Sequence, residues 1–320
     1  MTLSRSLRTT LGLAFAVLLA ASSADCRRKG EGRFVVGFSQ MEHNNPWRLA
    51  QTASIKAEAA KRNYELVVTD AQSQTSRQVS DVEDLVARGV NLILLAPREY
   101  EGLAPALQAA KAARIPVILV DRLAEGNPGE DYVTFLGSNF VQQGERAGAW
   151  LATATGGRAQ IVELTGTAGS SVAVDRAKGF RQAIAVHPGM QIIASQTGDF
   201  ARAAGQSVMQ NIIQAKGRVM TAVYAHNDEM AIGAIEALKA AGIKPGVDVT
   251  IVSVDGERAG LEAIARGELG ATVESNPRFG PLAFDTIEKV RHGEPLPKSI
   301  LITDRFFDRT NAAQFVAEAY

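Results

Sequence analysis

Charged and amide side chains stand at the ends of several short aliphatic runs in this sequence. Asp121 and Arg122 end one of these runs, Asn227 follows a second, and Asp255 ends a third. Carboxylate and amide oxygens accept hydrogen bonds from hydroxyls, whereas a guanidinium donates in a fixed fork. One neutral hydrogen bond contributes only about 1 kcal/mol net, so several must converge in a closed, dry cleft. This set of groups therefore favours a polyhydroxylated ligand such as a sugar.

Two aromatic residues, Trp47 and Phe200, lie in predicted turns after strands and not on a periodic apolar stripe. A flat aromatic face can cover the C–H face of a sugar ring. The alternative is that both rings are ordinary core residues. Their position in turns favours stacking on a ligand.

Each candidate also has a purely structural interpretation. Asn45 before Pro46 is the pattern of a helix N-cap followed by proline at the first helical position. The Asp and Asn residues at the strand ends could likewise only cap helices or order turns. Arg176 lies in a predicted helix that begins near Ser170, where an arginine is usually a solvated surface residue.

Metal, nucleotide and catalytic sites find little support. The four histidines are scattered without ligand spacing, at His43, His187, His226 and His292. The turn Gly166-Thr167-Ala168-Gly169 lacks both the phosphate-loop lysine and the dinucleotide fingerprint. No nucleophile stands with a base, so the sequence predicts neither an enzyme nor a bound cofactor.

The elements that must position these residues alternate between β-branched runs and helical periodicity, which is typical of parallel α/β architecture. In open parallel sheets, ligands bind beyond the carboxyl ends of the strands. The pattern occurs in two series, so we predict two similar lobes. The predicted strands are Phe34–Ser39, Glu65–Asp70, Asn91–Ala96, Pro116–Asp121 and Tyr132–Gly137, then Gln160–Leu164, Gln191–Gln196, Val219–Tyr224 and Thr250–Asp255.

Two further predicted strands, Gly270–Ser275 and Ser299–Phe306, flank a helix from about Pro277 to His292. If strand Gly270–Ser275 completes the sheet of the second lobe and strand Ser299–Phe306 begins in the first lobe, the chain crosses between the lobes three times. These three crossings would form a hinge. The predicted N-terminal lobe comprises residues 34–138 plus 276–303. The predicted C-terminal lobe comprises residues 139–275 plus 304–320.

The N-terminus has the pattern of an export signal, predicted over residues 1–24. Arg5 and Arg8 precede the apolar run from Leu11 to Ala21, which is too short to span a membrane. Cys26 follows directly, so two outcomes compete: a soluble periplasmic protein cleaved after Ala24, or a lipid anchor on Cys26. Residues 25–33 would then be a charged tether.

Composition restricts the partners. Lys+Arg and Asp+Glu each total 34, which leaves no excess charge for nucleic acid. The chain has 320 residues, of which 46% are hydrophobic, enough for two cores. The single cysteine excludes an internal disulfide. We expect a monomer with a small-molecule ligand.

A series of short motifs runs in a fixed order from about Phe34 to Phe306. They are Asn44-Asn45-Pro46, Leu119-Val120-Asp121-Arg122, Glu163-Leu164 with Gly166, Asp175-Arg176 with Gly179-Phe180, Asp199-Phe200, Val208-Met209-Gln210-Asn211, His226-Asn227-Asp228-Glu229-Met230 and Val254-Asp255-Gly256. In this order they resemble the type I periplasmic sugar-binding proteins of ABC transporters, in the branch that binds ribose. The fold this implies is two doubly wound parallel-sheet lobes joined by a three-crossing hinge.

Other motifs are most similar to the galactofuranose-binding branch of that family. They are Val36-Gly37-Phe38-Ser39-Gln40, Trp47-Arg48, Ser171-Val172-Ala173-Val174-Asp175-Arg176, Tyr224-Ala225-His226-Asn227-Asp228 and Thr272-Val273-Glu274. The ribose branch has a second aromatic where this chain has Arg48, which removes a stacking face and adds a donor. The resemblance implies a hexose, in furanose form.

The resemblance also implies a set of ligand contacts. The main ones are Asp121, Arg122, Arg176, Asn227 and Asp255, with Trp47 and Phe200 stacking. Ser39, Glu42, Asn45, Arg48, Asp175 and Glu274 complete the predicted set. Ser275 is an alternative to Glu274, and a surface position on the first helical turn is an alternative for Arg48.

The implied mechanism is closure of the lobes on the sugar, which a membrane permease then recognises. The effector domain of a sugar-sensing regulator shares this fold, but an export pattern stands where a DNA-binding headpiece would lie. A partner of a chemotaxis or sensor-kinase receptor is equally compatible with the sequence.

Overall fold

The computed structural model describes residues 33–320, in which helices and strands alternate. Residues 1–32 carry the predicted export signal, Cys26 and most of the predicted tether, and these predictions lie outside the described residues. Within residues 33–320, no helix is both long and apolar enough to cross a membrane.

Six parallel strands form the first sheet. They are β1 Val35–Gln40, β2 Glu65–Asp70, β3 Leu92–Leu95, β4 Val117–Val120, β5 Thr134–Ser138 and β11 Ser299–Ile302, in the order β11-β5-β4-β3-β1-β2. The associated helices are α1 Pro46–Lys61, α2 Thr75–Ala87, α3 Ala104–Ala112 and α9 Gly280–Arg291. The aliphatic strands β3 and β4 are buried along their whole length, as expected for a sheet covered on both faces. We call this sheet with its helices the first lobe.

A second sheet of six strands repeats the arrangement. They are β6 Arg158–Thr165, β7 Gly189–Thr197, β8 Ala222–Ala225, β9 Thr250–Asp255, β10 Ala271–Glu274 and β12 Phe306–Asp308, in the order β12-β10-β9-β8-β6-β7. The associated helices are α4 Phe140–Ala154, α5 Ser171–Ile184, α6 Arg202–Lys216, α7 Asp228–Ala240, α8 Arg258–Ala265 and α10 Ala312–Phe315. Only the edge strand β12 runs antiparallel to its neighbour. This sheet with its helices is the second lobe.

The chain passes between the two sheets three times within the described residues: after β5, after β10 and after β11. The predicted fold class is therefore confirmed. The predicted single strand Ser299–Phe306 is wrong, because the third crossing interrupts it at residues 303–305 and sends its two halves to different sheets. The exact lobe boundaries stay a prediction.

Helices α4 and α5 pack with their backbones in direct contact, and glycine makes this possible. A Cβ atom at Gly144 would lie 2.1 Å from the backbone oxygen of Arg176, and one at Gly179 would lie 1.9 Å from that of Val141. Any larger residue would force the helices apart. The short distance brings side chains of α4 against the buried face of α5, which carries Arg176.

Candidate ligand-binding cleft

A cavity lies where the carboxyl ends of the strands of both sheets face each other, with about 330 Å³ of empty space including the solvent at its mouth. Its lining residues are Asn45, Trp47, Arg48, Asp121, Arg122, Val172, Arg176, Phe200, Asn227, Asp255 and Ser275. Both lobes contribute, so the cavity is complete only when they are together.

The first-lobe wall is built around a short ion pair. Arg48 Nη2 lies 2.6 Å from Asp121 Oδ2, and the two residues are 3% and 4% exposed. Arg48 Nη1 also donates to Gln51 Oε1 at 3.1 Å. Arg48 is therefore not a surface residue on the first turn of α1, which was the alternative interpretation of the sequence.

Arg122 is the second guanidinium of this wall. Its Nη1 donates to the backbone oxygen of Arg98 at 2.6 Å, whereas its buried Nε has no hydrogen-bond acceptor among the described residues. Burial, reinforced by the nearby charge of Arg48, lowers the pKa of Arg122 to about 9.

Arg176 dominates the second-lobe wall and is 3% exposed. Its Nε donates to Gln143 Oε1 at 2.9 Å and its Nη1 to the backbone oxygen of His226 at 2.5 Å. Its Nη2 lies 3.5 Å from Asp255 Oδ1. Arg176 is therefore buried, whereas an arginine in a helix usually lies at the solvated surface.

Asp255 sits at the end of β9, where burial raises the pKa of its carboxyl group well above the ordinary value and Arg176 only partly offsets this. Its backbone is also strained, with φ at +133°, and Asp121 and Phe200 have φ at +67° and +58°. Such conformations cost on the order of 1–3 kcal/mol each and cluster at functional sites. Three of the lining residues are therefore held in unfavourable backbone conformations.

The two predicted stacking residues both line the cavity and both are fixed by packing. Trp47 Nε1 donates to the backbone oxygen of Ser275 at 2.7 Å, and its ring meets Phe279 edge-on. The ring of Phe200 lies under Arg122 Cζ at 5.2 Å and packs directly against the backbone of Gly166. The rings are therefore oriented before any ligand binds, and stacking stays a prediction.

Two lining amides also cap helices. Asn45 Oδ1 accepts from the backbone nitrogen of Arg48 at 2.9 Å, and Asn227 Oδ1 accepts from that of Met230 at 3.0 Å. The capping interpretation of these residues therefore holds. It does not compete with a ligand contact, because a carbonyl oxygen has a second lone pair.

Four predicted contacts do not line the cavity. Ser39 is fully buried in β1, and Glu42 accepts hydrogen bonds from Asn44, Asn45 and Ser73.

The other two predicted contacts, Asp175 and Glu274, also lie outside the cavity. Asp175 lines outer grooves beside α5. Glu274 pairs with Arg305, whose Nη2 lies 2.7 Å from Glu274 Oε1. Ser275, which follows the end of β10, lines the cavity, whereas the side chain of Glu274 is held by Arg305.

Val172 is a lining residue that the sequence reasoning missed. It lies one turn before Arg176 on α5, on the same helix face, so the spacing of four residues was the available signal. Among residues 33–320, no group of three or more His, Cys, Asp or Glu residues is placed to hold a metal ion.

Comparison with known proteins gives a consistent result. Residues 36–294 match the model of a periplasmic binding protein domain. The chain is 40% identical to the galactofuranose-binding protein YtfQ of Escherichia coli K12 over 90% of this chain and 91% of that protein. It is 35% identical to the ribose import binding protein RbsB of Bacillus subtilis, over 83% of this chain and 85% of that protein.

A solved structure shares the fold closely. It is the periplasmic binding protein component of the arabinose ABC transporter from Shewanella sp. ANA-3, bound to α- and β-L-arabinofuranose. The TM-score is 0.86 with 41% identity, over 89% of this chain and 95% of that chain. These relatives are binding proteins and not enzymes.

Proposed function

Because this chain belongs to the family of periplasmic binding proteins, we propose that it captures a monosaccharide between its lobes and presents it to an ABC permease. The observation that carries the proposal is the composition of the cavity wall. Three guanidinium groups and two carboxylates from both lobes surround a space bordered by Trp47 and Phe200. Such a site binds hydroxyls by charge-assisted hydrogen bonds and covers a ring by aromatic contact.

The ligand we infer is an aldose in furanose form, and a hexose before a pentose. Support comes from the relatives, one of which is named for galactofuranose and another of which holds L-arabinofuranose. Arg48, at the beginning of α1, lines the cavity with a buried guanidinium, and we propose that it donates to an exocyclic hydroxyl. The lining residues, with Arg48 and Asp121 on one side and Arg176 and Asp255 on the other, are the contacts we propose.

Closure of the lobes is the step that we propose as the signal. In the closed arrangement the backbone nitrogen of Tyr100 donates to the oxygen of Gly169 at 2.9 Å, and that of Leu123 donates to Ser171 Oγ at 2.9 Å. These bonds join residues of the first lobe to the turn and helix around α5. A sugar that contacts both walls adds binding free energy only to this arrangement, so it shifts the population toward closure.

The protein is proposed to deliver its ligand unchanged, with no cofactor and no nucleic-acid partner. We also propose export, with the mature chain beginning at Asp25 or at a lipid-modified Cys26. Mass spectrometry of the native protein distinguishes these two ends. An intact Met1 on protein from the native cell would contradict export.

The direct test of the function is a thermal-shift screen of aldoses followed by calorimetry. Specific binding stabilises the folded protein by about 2.7 kcal/mol when the ligand is at 100 times its Kd. We expect D-galactose or L-arabinose to raise the melting temperature and to bind at one site. A protein that binds no aldose, or one that consumes the sugar on incubation, would overturn the proposal.

A further inference from the structure

The three segments by which the chain crosses between the lobes are joined by a small hydrogen-bond network around Asp304 and Gln143. Asp304 lies in the third crossing, between β11 and β12. Its Oδ1 accepts from the hydroxyl of Ser138 at 3.0 Å, and Ser138 ends β5 at the first crossing. Its Oδ2 accepts from Gln143 Nε2 at 2.8 Å. A single side chain therefore links the first lobe, the third crossing and helix α4.

Gln143 extends this network in two directions. The same Nε2 lies 3.3 Å from the backbone oxygen of Glu274, which ends β10 at the second crossing. At the other end of the amide, Oε1 accepts from Arg176 Nε at 2.9 Å. Gln143 is 1% exposed, so water does not replace these bonds. An amide is suited to this position because it can donate to a carboxylate while it accepts from a guanidinium.

The distance between Gln143 and Arg176 is set by the packing of α4 on α5. Gly144 follows Gln143 directly, and its missing side chain is what lets the backbone of Arg176 approach α4. Neither Gln143 nor Asp304 lines the cavity. Both lie behind it, between the guanidinium that faces the ligand and the segments about which the lobes would rotate.

We propose that Gln143 is a positioning residue which, together with Asp304, couples the orientation of Arg176 in the cavity to the arrangement of the three crossing segments. The proposal rests on the proposed sugar-binding function. Opening the lobes moves Ser138 relative to α4, which strains the bonds that Asp304 and Gln143 make to the crossings. Arg176 Nε then loses its acceptor, while Nη1 keeps the backbone oxygen of His226. The coupling is reciprocal, so a ligand that holds Arg176 in place also favours the closed crossings.

A second clamp on the same segments provides a control. Arg305 pairs with Glu274 at 2.7 Å, and the backbone nitrogen of Arg305 donates to Glu274 Oε2 at 2.9 Å. This clamp also joins the second and third crossings, but it contributes no side chain to the cavity. A variant of Arg305 therefore removes one side-chain contact between the second and third crossings, keeps the backbone bond to Glu274, and leaves the acceptor of Arg176 untouched.

The test is calorimetric titration of the mature protein with D-galactose and with L-arabinose. We expect Gln143→Met, which keeps the length of the side chain, to weaken binding by about tenfold to a hundredfold, the scale of a lost hydrogen bond to a charged group. Asp304→Ala should weaken it by about tenfold, and the double variant should be no weaker than Gln143→Met alone, because the two act through one network. Arg305→Ala should stay within about twofold of the parent, because the backbone nitrogen of Arg305 still donates to Glu274 and the bond between Gln143 and Arg176 is unchanged.

The conservative variant Asp304→Asn separates coupling from simple structural damage. Its amide can still accept from Gln143 and can donate to Ser138, so we expect parental affinity to return. Small-angle scattering of the sugar-free proteins gives an independent measurement, in which Gln143→Met and Asp304→Ala should be more open than the parent and Asp304→Asn should not.

Three results would overturn the coupling: unchanged affinity in Gln143→Met, an equal loss in Arg305→Ala, or no rescue by Asp304→Asn. These three results can be distinguished from failure of the proposed function, because in that case the parent protein itself binds no aldose. In that case scattering still decides whether Gln143 and Asp304 hold the lobes closed, and identical profiles for parent and variants would reject the coupling.

Discussion

The two walls of the cavity use the same pair of residue types and differ in how completely the pair is formed. On the first wall, Asp121 meets Arg48 at 2.6 Å and has Arg122 Nε at 3.8 Å. On the second wall, Asp255 has Arg176 at 3.5 Å, while the other donors of Arg176 are occupied by His226 and Gln143. Asp121 is thus surrounded by donors, whereas Asp255 is short of them.

This difference indicates which wall depends on the ligand. A buried carboxylate without enough donors is costly, and the raised pKa of Asp255 reports that cost. Sugar hydroxyls would supply the missing donors on the second wall. We therefore infer that the first wall is preorganised by the protein and that the second is completed by the sugar.

The largest effect should come from Asp121→Ala. Removal of this carboxylate leaves Arg48 and Arg122 buried without a counter-charge, which typically costs about 3–5 kcal/mol of stability. Affinity should fall as well, by at least about 2 kcal/mol. Urea unfolding and calorimetry measure the two quantities.

The control for Asp121→Ala is Lys111→Ala, which breaks only a surface pair with Asp131 and should cost less than about 1 kcal/mol. Equal losses of stability in the two variants would show that Asp121 does not hold the first wall together.

Asp255→Ala should separate binding from stability. We expect a loss of affinity of at least about 2 kcal/mol, because sugar hydroxyls lose their acceptor. Stability should fall less than in Asp121→Ala, since Arg176 keeps both His226 and Gln143 as acceptors. If Asp255→Ala binds with parental affinity, Asp255 does not contact the sugar. If it loses as much stability as Asp121→Ala, the two walls do not differ in the way described above.

Part of this contrast could be predicted from the sequence. The strand-end positions of Asp121 and Asp255 follow from the alternating pattern, and Glu65–Asp70 and Thr250–Asp255 were predicted with the bounds that the structure has. Parallel sheets then place such residues at one edge. Local pattern and topology are enough for these residues.

The remainder depends on contacts between distant parts of the chain. Arg176 had the pattern of a surface residue, and it is buried because two glycines allow α5 to approach α4. The sequence could not show which of the neighbouring residues Glu274 and Ser275 lines the cavity. In the structure the side chain of Glu274 is held by Arg305, which is distant in the sequence. The role of Gln143 carries no local signal at all, since its partners lie more than thirty residues away.

The variant Arg48→Ala tests whether the first wall determines which sugar the cavity prefers. In Arg48→Ala we expect the preference for D-galactose over L-arabinose to shrink by about 1–3 kcal/mol, because a buried donor disfavours an analogue that lacks its hydroxyl partner. Affinities of both sugars must be measured for parent and variant. If both fall by the same factor, Arg48 binds or supports Asp121 without selecting the sugar.

The pH dependence of stability tests the second wall without any sugar. A carboxyl group with a raised pKa contributes stability that is complete below the ordinary value near 4 and is lost as the pH rises through its folded pKa. This one group should therefore lower the stability of the sugar-free parent toward neutral pH by at most about 1.4 kcal/mol per pH unit. Asp255→Asn should reduce that slope, as measured by urea unfolding at several pH values.

Neighbouring Asp228, whose pKa burial raises to about 6, contributes in the same direction, so the slope should shrink in Asp255→Asn and not vanish. The exposed Asp199, one residue before Phe200, serves as the control, and Asp199→Asn should keep the parental slope. An unchanged slope in Asp255→Asn would mean that its charge is already compensated, as on the first wall.

The smallest effect should come from Ser39→Ala in β1. The hydroxyl of Ser39 is fully buried and has no hydrogen-bond partner among the described residues, and such a group costs about 1–3 kcal/mol when it stays unsatisfied. Its removal should leave stability within about 1 kcal/mol of the parent, or raise it, and should leave the affinity for D-galactose unchanged. A clear loss of affinity, with stability preserved, would instead place Ser39 in contact with the sugar, as the sequence predicted. The first wall would then also be completed by the ligand, and the contrast between the two walls would narrow.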